Sequence, residues 1–586
     1  EKDGKKLPVE VSYKLIGKNR YSFVVAKADP SLPLVIDPIL QSTYLGGNNS
    51  DWARALAIHP TTGEVYVAGN TTSTDFPNTS GGAQKSRSGG SDVFVARLNK
   101  ELTQILQATY LGGSNDDEAY ALAIHPTTGE VYVAGHTKSF NFPNTIGGAQ
   151  ENIGGNANGF VARLNPELTR ILQATYLGGS GGDIASALTI HPITGEVYIA
   201  GLTTSTNFPN TAGGAQTTYG GGGDAFVARL SRDLTKILQS TYLGEVGSDI
   251  AFALAIHPIT GEVYVAGLTG SRNFPGTAGG AQSSEGGNGD AFVARLNSNL
   301  TKILQSTYLG GRDNDFALDL VIHPTTGDVY LAGFTNSTDF PNTTGGAQAN
   351  KRGIVNGFVA RLNRDLTRIL QATYLGGGDY DWVRVLAIHP ATGDVYVAGF
   401  TLSINFPNTT GGAQARNNGG IDAFITRLNS DLTQILQSTY LGGNGEDKAF
   451  ALAIHPRTGE VYVAGQTFSI NFPNTIGGAQ RSIGGDGDAF VAKLTINLTS
   501  GNILSISPTP KNGNVKSRPT GIDCGSGNSL CSADFYGAIT LTATPAAGHT
   551  FVGWGGDCSA CGKNPTCEID MNKSKTCSAN FTPSKR

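Results

Sequence analysis

Apolar positions along this chain recur in short runs of five to seven residues, and the whole pattern returns every 66 residues, as His59, His125, His191, His257, His323, His389 and His455 mark. Within the second period the runs fall at 121–125, 130–135, 159–164 and 171–177, rich in Val, Ile, Tyr and Phe and bounded by Gly, Pro, Asn and Asp. Runs of that length, composition and punctuation predict β-strands, four to each period.

Seven repeats of four strands predict an all-β fold, a seven-bladed β-propeller in which each blade buries both faces against its neighbours. The ends of the array favour a closed ring over a solenoid. The array opens at 39–45 with a fourth-type strand and closes at 488–494 with a third-type strand, so the N-terminal strand completes the last blade and no edge is left to cap. Three domains follow: 1–37, an N-terminal β-hairpin read as the remnant of a β-rich module; 38–499, the propeller; and 500–586, a small disulfide-rich β domain.

The repeated segments YLGG, D, ALAIHP, GEVYVAG, FPNT and DAFVARL over residues 38–499 resemble the SBBP-type bacterial β-propeller repeat. Residues 541–554 (LTATPAAGHTFVGW) with Asn580 and Phe581 resemble the divergent InlB B-repeat. These resemblances imply a bacterial protein that is extracellular, secreted or on the cell surface, and the repeat family carries no single activity.

Composition narrows the function. Gly contributes 80 of 586 residues and charged residues only 15%, which suits turn-rich β architecture and excludes an all-helical chain. No apolar stretch approaches a membrane span. The repeat region is net acidic between mildly basic ends, which argues against nucleic acid as a partner. All six cysteines lie in the C-terminal segment and read as three disulfides formed in an oxidising compartment. Fifteen connectivities are open; the expected pairs are Cys524 with Cys531, Cys558 with Cys567 and Cys561 with Cys577.

In an up-and-down blade, the long 2–3 connection and the YLGG loop share one face, where binding would concentrate. On that face an aspartate precedes every repeat histidine by eight residues: Asp51, Asp117, Asp183, Asp249, Asp315, Asp381 and Asp447. Such a ring around the axial channel is either a set of hard oxygen ligands, with calcium the candidate cation, or a set of acceptors for backbone N–H groups at the start of each strand. No other cofactor is expected. The residue after each aspartate breaks the symmetry, and Trp52, Tyr120, Trp382 and Tyr380 are candidates for stacking on sugars. Polar groups repeated seven times in like surroundings make a poor catalytic site, and no nucleophile–base or phosphate-loop motif occurs, so a non-enzymatic protein is expected.

The resulting expectation is a bacterial surface structural protein: a rigid propeller whose terminal β modules mediate attachment or self-association, including head-to-tail filaments. The alternative is a monomeric adhesin or carbohydrate-binding protein that engages surface glycans or other surface proteins through the long-loop face.

Overall fold

The computed structural model describes residues 10–17, 20–26, 39–498, 502–518, 522–525, 528–535, 537–571 and 575–584. Seven four-stranded antiparallel sheets occupy Ile39–Leu498. Sheet 1 consists of Asp51–Ile58, Val65–Thr71, Asp92–Leu98 and Ile105–Leu111, and sheets 2 to 6 repeat that order. Sheet 7 draws three strands from its own repeat and its fourth from the start of the array, where Ile39–Leu45 pairs antiparallel with Asp488–Leu494.

The second and third strands, such as VYVAGHT and NGFVARL, are nearly continuous apolar runs and are buried on both faces. Such strands are stable only between two covering layers, and here the layers are neighbouring sheets. Tyr66, Ala68 and Val95 of sheet 1 pack with Val131, Val133 and Phe160 of sheet 2. Tyr462, Ala464 and Val491 of sheet 7 pack in the same way with Val65, Val67 and Phe94 of sheet 1. Polar links repeat with the same period. Tyr66 Oη donates to the Pro166 carbonyl at 2.8 Å, and Tyr462 Oη donates to the Lys100 carbonyl at 2.8 Å, crossing from sheet 7 to sheet 1.

Each turn between third and fourth strands holds a buried leucine in the left-handed region, for example Leu168 at φ 59°. That conformation costs a residue with a Cβ about 1–2 kcal/mol. It is held because the Leu168 carbonyl accepts the Ala83 N–H of the preceding sheet at 3.0 Å while the side chain fills the core.

The first strand of every sheet is interrupted by a β-bulge. In sheet 6, Trp382 pairs with Phe400 and Val383 with Gly399, but Ala398 faces Val385, so Arg384 is the extra residue. The same break leaves Arg54, Tyr120, Ser186, Phe252, Leu318 and Phe450 as the extra residues of the other sheets. A bulge bends its strand and brings its backbone against the partner. The partner position is always glycine: a Cβ on Gly399 would lie 1.8 Å from the Trp382 carbonyl oxygen.

Outside the seven sheets, Glu10–Gly17 and Arg20–Ala26 form a two-stranded antiparallel sheet. The C-terminal residues build two further sheets. One contains Ser532–Phe535, Asn502–Ile506, Lys575–Pro583 and His549–Gly556, with one parallel pairing between Asn502–Ile506 and Lys575–Pro583. The other contains Asn528–Leu530, Asp523–Gly525, Gly513–Arg518, Gly537–Pro545 and Thr566–Met571. Leu541, Trp554 and Ile569 share their core with Cys524, Cys558, Cys567 and Cys577.

Three disulfides close this unit: Cys524–Cys531, Cys558–Cys577 and Cys561–Cys567. The first is as expected from the sequence, and the other two correct the expected pairing by exchanging partners. Strand register is the reason. Gly556 lies opposite Cys577, so Cys558 leaves its strand beside Cys577, and the short helical turn Ser559–Cys561 carries Cys561 back towards Cys567.

Gly399→Ala is expected to lower the urea midpoint by the equivalent of about 2–4 kcal/mol, because either the bulge or the pairing must give way. Gly420→Ala is the control, since a Cβ there meets nothing within 4 Å. Equal midpoints for the two variants would contradict the role assigned to the close contact.

Candidate functional site

A cavity of about 490 Å³ is lined by residues from the first strand of all seven sheets. The bulges determine what faces it. All seven extra residues lie on its wall: Arg54, Tyr120, Ser186, Phe252, Leu318, Arg384 and Phe450. In a repeat otherwise nearly invariant, this ring contains two guanidiniums, a phenol, a hydroxyl and three apolar side chains. It is divided by chemistry: sheets 6, 7, 1 and 2 contribute Arg384, Phe450, Arg54 and Tyr120, whereas sheets 3, 4 and 5 contribute Ser186, Phe252 and Leu318.

Two residues towards the aspartate end of each first strand, the cross-strand pairs also vary among the sheets. Sheets 3 and 4 pair Ile184 with Leu202 and Ile250 with Leu268. Sheet 5 stacks Phe316 on Phe334 at 4.4 Å between ring centroids. In sheet 6 Trp382 lies between Tyr380, at 5.5 Å and 22° between planes, and Phe400 at 4.9 Å. Sheet 7 places Lys448 Nζ 6.0 Å from the Phe400 ring and 2.8 Å from Glu446. In sheet 1 the Arg54 guanidinium lies 4.5 Å from the Trp52 ring. In sheet 2 Tyr120 donates to Glu118 Oε2 at 2.8 Å and stacks on His136 at 5.7 Å. Burial, reinforced by Glu118, raises the Tyr120 phenol well above its ordinary range, so it remains a hydrogen-bond donor.

The four aromatic residues named from the sequence thus sit on sheets 1, 2 and 6, all in the sector that carries the two arginines. Sequence reasoning missed Arg54, Arg384 and Phe450. The signal available was the repeat position itself, which alone reads Arg, Tyr, Ser, Phe, Leu, Arg, Phe among fixed neighbours.

The guanidiniums are unusual in their surroundings. Arginines on third strands are paired, as in Arg97–Glu64 at 2.8 Å and Arg427–Asp394 at 2.6 Å. Among the described residues, Arg54 and Arg384 take part in no salt bridge, and the buried Nε of each has no hydrogen-bond partner. Burial lowers both, and the neighbouring Arg54 charge helps to push Arg384 down to about 10. The cavity also contains Asp319, where five other sheets carry alanine. Its oxygens accept the Leu320 and Leu386 N–H groups, each at 2.8 Å, so this carboxylate ties sheet 5 to sheet 6. Burial raises it to about 7.

The seven repeat aspartates are placed differently from the channel ring expected for them. Asp51, Asp117, Asp183, Asp249, Asp315, Asp381 and Asp447 are fully buried, and none lines the cavity. Strand alternation explains this, since each shares the buried parity of the following Ala or Val rather than that of the cavity residues. Asp51 Oδ2 accepts the Gly47 N–H at 2.8 Å and the Ser73 hydroxyl at 2.8 Å, and Asp117 accepts Gly113 and Ser139 likewise. Among the described residues no three His, Cys, Asp or Glu side chains converge on a metal-sized site.

Each of these aspartates faces a third-strand residue across a loop glycine: a Cβ on Gly46 would touch both Asp51 and Asp488. Five sheet junctions therefore bury two carboxyls, while at the other two Asn158 and Asn356 replace one of them. Burial raises Asp51 to about 6 and, with the Asp51 charge adding to it, Asp488 to about 7.

Residues 532–585 match the Divergent InlB B-repeat domain family. A curated protein, the Regulatory protein FlaEY of Caulobacter vibrioides, is 26% identical over 230 residues, covering 36% of this chain and 22% of that protein. The chain thus spans about a fifth of that relative's length. Among solved structures, Raptor of Chaetomium thermophilum aligns over 77% of this chain and 29% of its own, with 9% identity and a TM-score of 0.42. Sqt1 of the same organism aligns over 72% of this chain and 82% of its own, with 11% identity and a TM-score of 0.37.

A carboxyl raised in the folded chain stabilises it fully below the unfolded value of 3.8, and that stability is lost as pH rises through about 6 to 7. Asp488→Asn, copying the arrangement at Asn356, is expected to match the parent near pH 4 and to exceed it by about 1–2 kcal/mol at pH 8. Urea titrations at both pH values check this; parallel profiles would contradict it.

Proposed function

We propose that the seven sheets close as a seven-bladed SBBP-type β-propeller and that the protein is a non-enzymatic binding platform on the outside of a bacterial cell. Support for closure comes from the strand that completes sheet 7 and from the Tyr462-to-Lys100 bond, which repeats between sheets 7 and 1 the link found between the others. An extracellular setting is supported by three disulfides and the C-terminal InlB-like module.

One observation carries the binding role. The scaffold repeats almost without change, yet the cavity ring and the residues beside it vary from sheet to sheet and gather aromatic and cationic groups on sheets 6, 7, 1 and 2. Planar aromatics beside a concave, partly apolar cavity suit the faces of sugar rings. Surface glycan is therefore the ligand class this reading takes. A structural role through the chain's ends is the second reading, favoured by Glu10–Gly17 and Arg20–Ala26: among the described residues they pair only with each other, and a lone hairpin is marginal in water. Adding its edge to a second copy would give the self-association or filament expected from the sequence.

The two readings separate experimentally. Retention of the full chain on immobilised bacterial surface polysaccharides is expected to fall at least tenfold in the Trp52→Ala, Trp382→Ala double variant, with sedimentation unchanged. Undiminished retention would remove the binding reading. Concentration-dependent fibres from the same chain in electron micrographs would favour the structural one.

A further inference from the structure

Arg384, Phe450 and Arg54 come from sheets 6, 7 and 1 in succession and meet on one wall of the cavity. The Arg54 Cζ lies 4.8 Å from the centre of the Phe450 ring and the Arg384 Cζ lies 5.8 Å from it. Phe450 thus holds two like charges near each other through contacts with its π-system. Those contacts spend none of the N–H groups of either fork. The buried Nε atoms are unpartnered, and among the described residues neither guanidinium has an ion-pair partner. Lys448, on the same sheet as Phe450, has Glu446 at 2.8 Å. Asp319, among the described residues the one carboxylate on the cavity wall, is committed to two backbone N–H groups.

Two desolvated positive charges that repel each other are costly unless an anion completes them, and arginine forks match planar or tetrahedral oxyanions through paired hydrogen bonds. We propose that Arg54 and Arg384 form an oxyanion-binding site in the cavity, which receives the carboxylate or sulfate of an acidic saccharide. Tyr120, next in the ring after Arg54, lies on the same wall with its hydroxyl donated to Glu118. Ser186, Phe252 and Leu318 opposite leave space for the uncharged remainder of the ligand. This deepens the binding-platform reading by specifying the charge of the glycan, and it rests on that reading for the saccharide but not for the oxyanion.

The test uses the full chain at low salt with three probes: sodium sulfate, a galacturonic acid tetrasaccharide, and the neutral galactose tetrasaccharide. Calorimetry is expected to show binding of the acidic tetrasaccharide that weakens at least 30-fold in Arg384→Met and in Arg54→Met and is partly restored in Arg384→Lys. The neutral tetrasaccharide is expected to bind at least 100-fold more weakly. A sulfate-specific rise in melting temperature, measured against chloride at equal ionic strength, reads the oxyanion site in the unaltered protein and so does not depend on the variants folding. That rise, lost in Arg384→Met, with neither saccharide retained would keep the oxyanion site and remove the glycan reading. Neutral and acidic saccharides bound equally well, with no effect of Arg384→Met, would overturn the oxyanion site and keep the platform. No sulfate effect and no acidic-saccharide binding would overturn the proposal outright.

Discussion

An antiparallel ladder accepts an extra residue only where its partner strand yields space, and in this protein that space is a missing side chain. The backbone carbonyl of Trp382 occupies the position that a Cβ on Gly399 would take, and the same contact recurs at Gly69, Gly135, Gly201, Gly267, Gly333 and Gly465. Because the bulge is fixed at one place in each repeat, seven side chains reach one cavity at one level. The scaffold and the site therefore obey different rules. The glycine and the alternating apolar positions must stay constant for the sheets to stack, while the bulged residue touches little of the stack and is free to vary.

That division explains where polar groups find partners. Many groups at repeated positions find partners within the repeat: Tyr110 Oη donates to the Ser73 carbonyl and receives the Phe76 N–H, and Arg97 pairs with Glu64. Arg54 and Arg384 differ from the third-strand arginines in that, among the described residues, neither has a carboxylate partner.

Much of the architecture could be read from the chain because hydrophobic period and turn residues are local properties. The fourth strand expected at 171–177 is found at Ile171–Leu177, and the third, expected at 159–164, is Asn158–Leu164. The first strand, expected at 121–125, begins four residues earlier at Asp117. The alternation is broken there by Tyr120, so a reading based on simple period loses the strand at the residue that matters most for the cavity. Trp52, Tyr120, Tyr380 and Trp382 were visible as departures from the repeat. Phe450 and the arginines were not, because their significance lies in which sheets adjoin. The partners of Cys558 and Cys561 depended likewise on the register of strands far apart in sequence.

The strand Ile39–Leu45 also sets the order in which the molecule can be made. Its Thr43 bonds to Gln480, 437 residues later, so on the ribosome the first strand of the array emerges long before the sheet that receives it. At a synthesis rate of about 5–20 residues per second, its hydrogen-bonding edge waits on the order of half a minute to a minute and a half. Through that interval every completed sheet leaves the next face of the stack uncovered, and the final step must close one very long loop. Nascent chains of this protein thus carry an open β-edge until the residues around Gln480 have emerged.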